Sequence, residues 1–377
     1  MSQRSDVIII GGGFMGSASA FFLRQRGRSV NLIERDLVGQ YASGTNFGNV
    51  RRQGRFLPQI ALANRSRALW GRLPQLIGED LEFLPSGHIR VCYEADKIER
   101  LERYAAEAKT LGLDLQLLTR EQIRARFPYF SQQVIAGSYA PLDGHANPRL
   151  AAPAFARAAA RAGAGIHENT EALQVEKDGE DFIVHCSNGQ QFRAPVLLVT
   201  AGAWGNTLSS QFGEAVPIVT RGPHMAVTEP VPYSIAAVAG LFTDVEAEVL
   251  YFRQIKRGNI ILGGSTRGPS SIETRRAATL PQSTLNHLRL FPKLVPAFKN
   301  LNIIRTWSGV EGYLPDDRPI MGPSHKVSGL FYAFGFCGHG FQLGPGVGDV
   351  MAELIDTGAT STPIEPFHIR RFAEASG

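Results

Sequence analysis

Four apolar residues, Val7-Ile8-Ile9-Ile10, open the hydrophobic pattern of the chain. A short, uninterrupted β-branched run predicts a strand buried on both faces. Gly11-Gly12-Gly13-Phe14-Met15-Gly16 follows, then apolar residues at helical spacing from Ala18 to Arg26, with Gly27 as the stop. Ser29 to Ile33 reads as a second strand, ended by Glu34. Further on, the periodicity predicts an amphipathic helix over Ile60–Leu76, a strand over Leu84–Val91 and a charged helix over Asp96–Leu111. Another helix starts at Thr119 and ends by Pro128, and the Ala-rich stretch Pro148–Arg161 predicts one more. Phe182–Cys186 and Gln191–Arg193 read as a hairpin turning at Asn188-Gly189.

A second buried strand, Val196–Val199, runs into Thr200-Ala201-Gly202-Ala203-Trp204, and its natural place is beside the first strand. The stretch 216–320 reads as short strands separated by turns, clearest at Val249–Phe252 and Ile260–Gly263. The last pattern, Gly329–Leu343, is a strand, a glycine turn and a helix running to about Asp356. The fold class expected is α/β, with a dinucleotide-binding domain of Rossmann type and a second domain built on an antiparallel sheet. The first is expected from residues 1–85, 145–215 and 325–377, the second from 86–144 and 216–324.

A chain of 377 residues is long for a single core. Its 44% hydrophobic and 19% charged residues are ordinary for a globular protein. The net charge of +5 is scattered among acids, which suits an anionic ligand rather than nucleic acid. Cys92, Cys186 and Cys337 are far apart, so a structural metal, an iron–sulfur cluster and a disulfide scaffold are not expected, and a reducing compartment is. There is no apolar run long enough to span a bilayer, and the strand pattern begins almost at once; the expected location is the cytoplasm.

The glycine cluster fits G-x-G-x-x-G. Gly11 permits the tight turn, Gly13 lets a pyrophosphate approach the backbone, and Gly16 lets the helix pack on the strand. The helix N-terminus offers free N–H groups to phosphate. Glu34, 18 residues after Gly16, can accept hydrogen bonds from ribose hydroxyls and repels a 2′-phosphate. These features leave FAD and NAD both open. The polar loop Ala42–Arg55, small and basic at its end, is placed to touch a ligand.

Three segments taken together resemble the FAD-dependent D-amino acid oxidase and sarcosine/glycine oxidase superfamily: the glycine motif with Glu34, TAGAW at 200–204 and GFCGHGF at 335–341. The resemblance runs essentially end to end. ASGTNFGNVRRQGR (42–55) and WSGVEGYLPDDRPIMGP (307–323) are most similar to β-subunits of multi-subunit amine dehydrogenases of the D-hydroxyproline dehydrogenase, opine oxidase and hydrogen cyanide synthase types. The resemblance implies noncovalent FAD, since Gly312-Tyr313 stand where some relatives carry a flavin-linking cysteine. It places the ADP half on Gly11, Gly13, Phe14, Met15, Gly16, Glu34, Arg35 and Ser43, with Val175 touching the adenine side through its backbone. Thr200, Ala201, Gly202 and Trp204 cover the pyrophosphate side, and Asn46, Gly48, Asn49 and Arg51 lie along the polar loop. Gly338, His339, Gly340, Phe341 and Gln342 bring a second helix N-terminus to the flavin.

The reaction so implied moves hydride from a C–H beside an uncharged nitrogen to flavin N5, and water hydrolyses the imine. Arg51 would sit by the flavin or hold a substrate carboxylate, or else anchor its loop through a salt bridge. His339 would act through its backbone, and Arg52 would be structural. Tyr251 and Arg253 share one face of a strand expected to face substrate. Glu311 stands where related amino acid oxidases often carry a carboxylate-binding arginine. Either Arg51 or Arg253 holds the carboxylate, or Glu311 meets a cationic amine. Ile261 stands where oxygen-using sarcosine oxidases carry a lysine, which implies a dehydrogenase passing electrons to a partner or quinone. The expected substrate is a secondary amine or imino acid of the D-hydroxyproline, opine or N-alkyl glycine class. The expected partners are an α-subunit and a small redox subunit. Two alternatives stay open: a free-standing sarcosine or glycine oxidase releasing hydrogen peroxide, and a flavoprotein subunit that relays electrons without its own amine substrate.

Overall fold

A computed structural model of the protein describes residues 2–373. Its organising element is a six-stranded sheet in the order Ile320–Pro323, Leu330–Phe334, Val196–Val199, Val7–Ile10, Val30–Ile33, Gly165–His167. All pairings are parallel except that of Ile320–Pro323. Val7 pairs with both Val30 and Val196, so the strand that carries the glycine turn is central, as the apolar run requires.

The two faces of that strand go to different layers. Val7 and Ile9 face helices with Phe14, Ala18, Phe155 and Val347. Ile8 and Ile10 face a four-stranded sheet through Phe182, Val184 and Phe192. Each of these side chains is nearly or fully buried, and each but the small Ala18 contributes roughly 1.5–3 kcal/mol. The helices Phe14–Gln25 and Gly340–Thr357 approach closely enough that a Cβ on Gly344 would collide with the Phe14 ring, and one on Gly348 would lie 2.5 Å from the Ala18 Cβ. This seam brings the start of the C-terminal helix beside the glycine turn.

The second large sheet has nine strands, with the central order Ile303–Ser308, Val219–Pro230, Asn259–Gly268, Leu250–Gln254, Val238–Leu241, His88–Cys92, Ala136–Ala140, Gln116–Thr119. It is antiparallel except between Val238–Leu241 and His88–Cys92. Ile89, Val91, Phe252, Ile260 and Leu262 form its outer core with Phe291 and Leu294. Alternation turns His88, Arg90, Tyr251, Arg253 and Ile261 to the opposite face.

Several expectations need correction. The stretch 216–320 is not all strand: Pro281–Leu294 is a helix, started by Pro281 at a position where its missing N–H costs nothing. The helix over Ile60–Leu76 is broken at Gly71 into Ile60–Trp70 and Leu73–Ile77. The strand placed from Leu84 begins at His88, and Leu84 itself only bridges His145. Ile320–Pro323, assigned to the second domain, belongs to the six-stranded sheet because it pairs with Leu330–Phe334. By contrast Pro148–Arg161 is a helix over the expected residues, and the helix at Thr119 opens with a full capping box.

Candidate functional site: a long cleft between the two sheets

The carboxyl ends of the central strands open into a single long cleft, the place where open α/β sheets bind ligands. It runs from Arg35, Glu171 and Leu173 at one end to Arg51, Arg55, Glu311 and His339 at the other. Gly11 makes the first turn at φ +113, and a Cβ there would lie 2.6 Å from the Thr200 carbonyl oxygen. Thr200 locks that turn, its Oγ1 donating to the Gly11 carbonyl at 2.7 Å. Gly13 precedes the helix with no side-chain cap of its own, and the Phe14 N–H donates to Ser43 Oγ at 2.8 Å. Gly202, at φ +54, faces open space.

Glu34 Oε2 accepts the Gly12 N–H at 2.7 Å and Oε1 accepts the Asp36 N–H at 2.9 Å. The carboxylate is thereby aimed into the cleft with a further lone pair on each oxygen. Burial pushes its pKa up, and the two N–H bonds oppose the shift. Next to it, the Arg35 guanidinium lies 3.9 Å from the Trp204 ring centre and 5.2 Å from that of Tyr41. A hairpin from beyond the second sheet closes this end: Trp204 Nε1 donates to Ile272 O at 3.1 Å, and Arg275 reaches Asp36 and Glu171, each at 3.2 Å.

At the far end the helix Gly340–Thr357 begins at His339 without a side-chain cap. Its first N–H groups therefore present a positive dipole end to the cleft. Glu311 stands in front of it, Oε1 accepting the Gly338 N–H at 2.8 Å and Oε2 accepting the Tyr313 hydroxyl at 2.7 Å. Burial raises the Glu311 pKa against those two bonds. Arg51 places one guanidinium nitrogen 3.1 Å from His339 Nδ1, and Arg55 donates to His339 O at 3.1 Å. Burial, with these arginines beside it, holds His339 well below the usual imidazole range, so the ring is neutral.

Most residues singled out from sequence line this cleft: Gly11, Gly13, Phe14, Met15, Glu34, Arg35, Ser43, Asn46, Gly48, Asn49, Arg51, Thr200, Ala201, Gly202, Trp204, Glu311 and Gly338 to Gln342. Four stand elsewhere. Gly16 lies behind the turn, where a Cβ would collide with Gly11 O. Val175 is buried in the four-stranded sheet opposite Val184; the wall it was to form is made by Thr170–Leu173, since Thr170 N–H bonds to Glu34 O at 2.8 Å. Arg253 is only 4% exposed and committed to structure, with Nε donating to Phe47 O at 2.7 Å and a second nitrogen 3.1 Å from His145 Nδ1. Tyr251 is not part of the cleft wall itself: it packs edge-on against Phe47 at 4.8 Å and donates to Gly264 O, within electrostatic reach of Arg51 and Glu311. Arg52 is structural as expected, in a buried ion pair with Asp143. Arg55 and Tyr41 line the cleft and were missed; for Arg55 the signal was an arginine-dense loop with no acid in it.

FAD suits this arrangement. Two helix N-termini whose N-cap residues bring no side-chain cap, a glycine turn closed to any Cβ and a ribose-type carboxylate share one cleft. Two buried acceptors in its wall, Asn49 Oδ1 and Gln342 Oε1, have no partner among the described residues. The sequence profile of the FAD dependent oxidoreductases matches residues 6–354.

The chain belongs to that family.

Its relatives include glycine oxidase of Geobacillus kaustophilus, 29% identical over 98% of both chains. One of the subunits of opine oxidase from Rhizobium meliloti is 26% identical over 97% of both. Among solved structures, L-proline dehydrogenase from P. horikoshii superposes with a TM-score of 0.92 at 28% identity, over 100% of this chain and 99% of the other. The expected D-amino acid oxidase-like fold and the FAD cofactor are thus correct, and the protein is an FAD-dependent oxidoreductase. Among the described residues no helix is long and apolar enough to cross a membrane.

Proposed function

We propose that the chain oxidises the C–N bond of a secondary amino or imino acid of the D-hydroxyproline, opine or N-alkyl glycine class, as the β-subunit of a dehydrogenase complex. The observation that carries this reading is the pair Arg51 and Arg55 at the flavin end of the cleft, bonded among the described residues only to neutral acceptors. A buried guanidinium, Arg55, and a half-buried one, Arg51, with no acid bonded to either call for an anion, and a substrate carboxylate provides it.

Bound FAD would supply the two-electron acceptor for a C–H bond beside nitrogen. The chain supplies the rest. Gly11, Gly13, Glu34 and Thr200 to Gly202 would hold the ADP half, and the N–H groups at Gly340–Gln342 would favour negative charge at the ring. Arg51 orients the carboxylate. Neutral His339 holds Arg51 without competing for the anion. The amine must lose its proton before hydride can leave; Glu311, whose raised proton affinity narrows the gap to an ammonium, takes that proton. Phe47, Tyr251, Ile261 and Trp307 form an apolar cluster beside this region that helps exclude water.

Ile261 in that cluster, where a cation would help oxygen accept electrons, supports a dehydrogenase over an oxidase. The likeness to a relative named as a subunit supports the expected α-subunit and small redox subunit as partners. A free-standing oxidase is the second reading, favoured by the full-length match to glycine oxidase. The test is an anaerobic screen of imino acids, N-alkyl glycines and opines against the purified chain, watching the oxidised flavin band near ~450 nm. Bleaching by one of these classes, with slow peroxide release on admitting air, is expected. Rapid peroxide release would favour the second reading, and no bleaching by any amine would favour a subunit that only relays electrons.

A further inference from the structure

We propose that the substrate carries two acid groups and that Arg90, on the strand His88–Cys92, is the specificity-determining residue for the second. The inference rests on the amino-acid-oxidising reading above and extends it to a substrate class.

The loop 51–55 and the strand His88–Cys92 gather four guanidinium groups, those of Arg51, Arg52, Arg55 and Arg90. Among the described residues one carboxylate answers them, and it is spent. Asp143 accepts the Arg52 N–H at 2.7 Å and Arg52 Nε at 2.9 Å, and its Oδ2 also accepts the Gln53 N–H at 3.4 Å. The next acid beyond Arg90, Asp244, is taken by Arg100 and Lys97. Tyr104 meets Arg55 through the backbone alone.

Three guanidinium groups are therefore unanswered. Arg51 donates to Gln53 O and meets the neutral His339 ring; Arg55 donates to the carbonyls of Arg51 and His339. Arg90 makes neither an ion pair nor a hydrogen bond among the described residues. It rests on the Phe242 ring, 4.3 Å from its centre. Arg90 also neighbours Arg51 across Gly54. A Cβ on that glycine would lie 2.6 Å from an Arg90 nitrogen and 3.5 Å from an Arg51 nitrogen. Burial disfavours the cations further, pulling Arg55 down to about 9 and Arg90 to about 10.

Arg55 is buried and Arg51 and Arg90 are half-buried; charge drawn out of water without a counter-ion is costly, and a guanidinium fork matches a carboxylate two-bonds-to-two. One substrate carboxylate bridging Arg51 and Arg55 would leave Arg90 alone beside them. A second carboxylate on a short arm of the same molecule answers it. The substrate class is thus an amine bearing two carboxylates, such as an N-(carboxyalkyl) amino acid, rather than a simple N-alkyl glycine. Arg90 does not line the cleft itself but stands beside Arg51 at Gly54, so its replacement leaves cofactor contacts in place.

The experiment uses the FAD-loaded full chain, wild type, Arg90→Gln and Arg90→Lys. Each is titrated with acetate, propionate, malonate, succinate and glutarate while the flavin spectrum is read. Wild type is expected to bind the best dicarboxylate at least about tenfold tighter than either monocarboxylate. Arg90→Gln should bring that ratio close to one with monocarboxylate affinity unchanged, and Arg90→Lys should restore part of it. Anaerobic reduction by iminodiacetate should lose its advantage over reduction by N-methylglycine in the same order. No dicarboxylate preference in wild type, or equal weakening of both ligand sets in Arg90→Gln, overturns the proposal. If no amine reduces the flavin in any variant, the oxidation reading itself has failed, and the carboxylate titrations still decide the role of Arg90.

Discussion

Glu311 and Gly338 are joined by a hydrogen bond of 2.8 Å that sets a carboxylate directly before the N-terminus of the C-terminal helix. Such a position would ordinarily lower a carboxyl pKa, yet burial wins and raises it. The group is thus poised to gain a proton above the usual carboxylate range.

Replacing that residue tests the role directly. Glu311→Gln can still accept the Gly338 N–H, so FAD content and melting temperature should hold. Anaerobic flavin reduction by the amine should slow by about 10²-fold or more near neutral pH. In wild type the rate should fall as pH drops through the raised Glu311 pKa, and in the variant that acid limb should vanish. A variant that keeps the limb would show that another group takes the proton.

Gly13 and Gly16 should fail differently. A Cβ on Gly16 would collide with Gly11 O and lie 2.6 Å from Thr200 Oγ1, so Gly16→Ala should destabilise even the FAD-free protein by about 1–3 kcal/mol. Gly13 has φ near −68° and only Ser43 Oγ at 3.1 Å from a Cβ. Gly13→Ala should fold normally and bind FAD more weakly. Denaturant midpoints without FAD, set beside FAD titrations, separate the two.

Arg275 ties the hairpin to Asp36 and Glu171 beside the adenosine end of the cleft. Its contacts are partly exposed and individually weak. Together with the Trp204–Ile272 bond they should slow cofactor exit. Arg275→Ala is expected to release FAD about three- to tenfold faster, read as the recovery of flavin fluorescence on dilution.

His287 is 3% exposed, and burial beside His224 holds it down to about 4. Its depressed pKa means that the unfolded chain binds the proton first. The stability it contributes is complete above its ordinary value of 6.5 and is lost as pH falls toward 4. Urea unfolding of wild type against His287→Gln should differ in slope by roughly 1 kcal/mol between about pH 7 and 5.5, where most carboxylates stay ionised.

The first β-α-β unit was legible because its logic is local: an apolar run, three spaced glycines and a terminal Glu34 sit within about 30 residues, the span such a unit needs. Pro148–Arg161 was legible for the same reason. Tyr251 and Arg253 were correctly placed on one face by alternation, but alternation cannot show that Arg253 is taken up by Phe47 O, 206 positions away. Val175, placed by the resemblance alone, lies inside its strand a few residues beyond the entry, Thr170–Leu173, that lines the cleft. Arg90 looked like an ordinary strand residue; only the pairing of His88–Cys92 inside the second sheet brings it to Arg51. The helix Pro281–Leu294 lay within the stretch read as short strands separated by turns, and it carries a proline near each end.

The seam between Phe14–Gln25 and Gly340–Thr357 has a bearing on how the protein is made. A nascent chain holds its glycine turn early, yet the helix that completes the other end of the cleft leaves the ribosome long afterwards. Until then the apolar face of Phe14 and Ala18 waits uncovered, and chaperone protection should matter most in that interval.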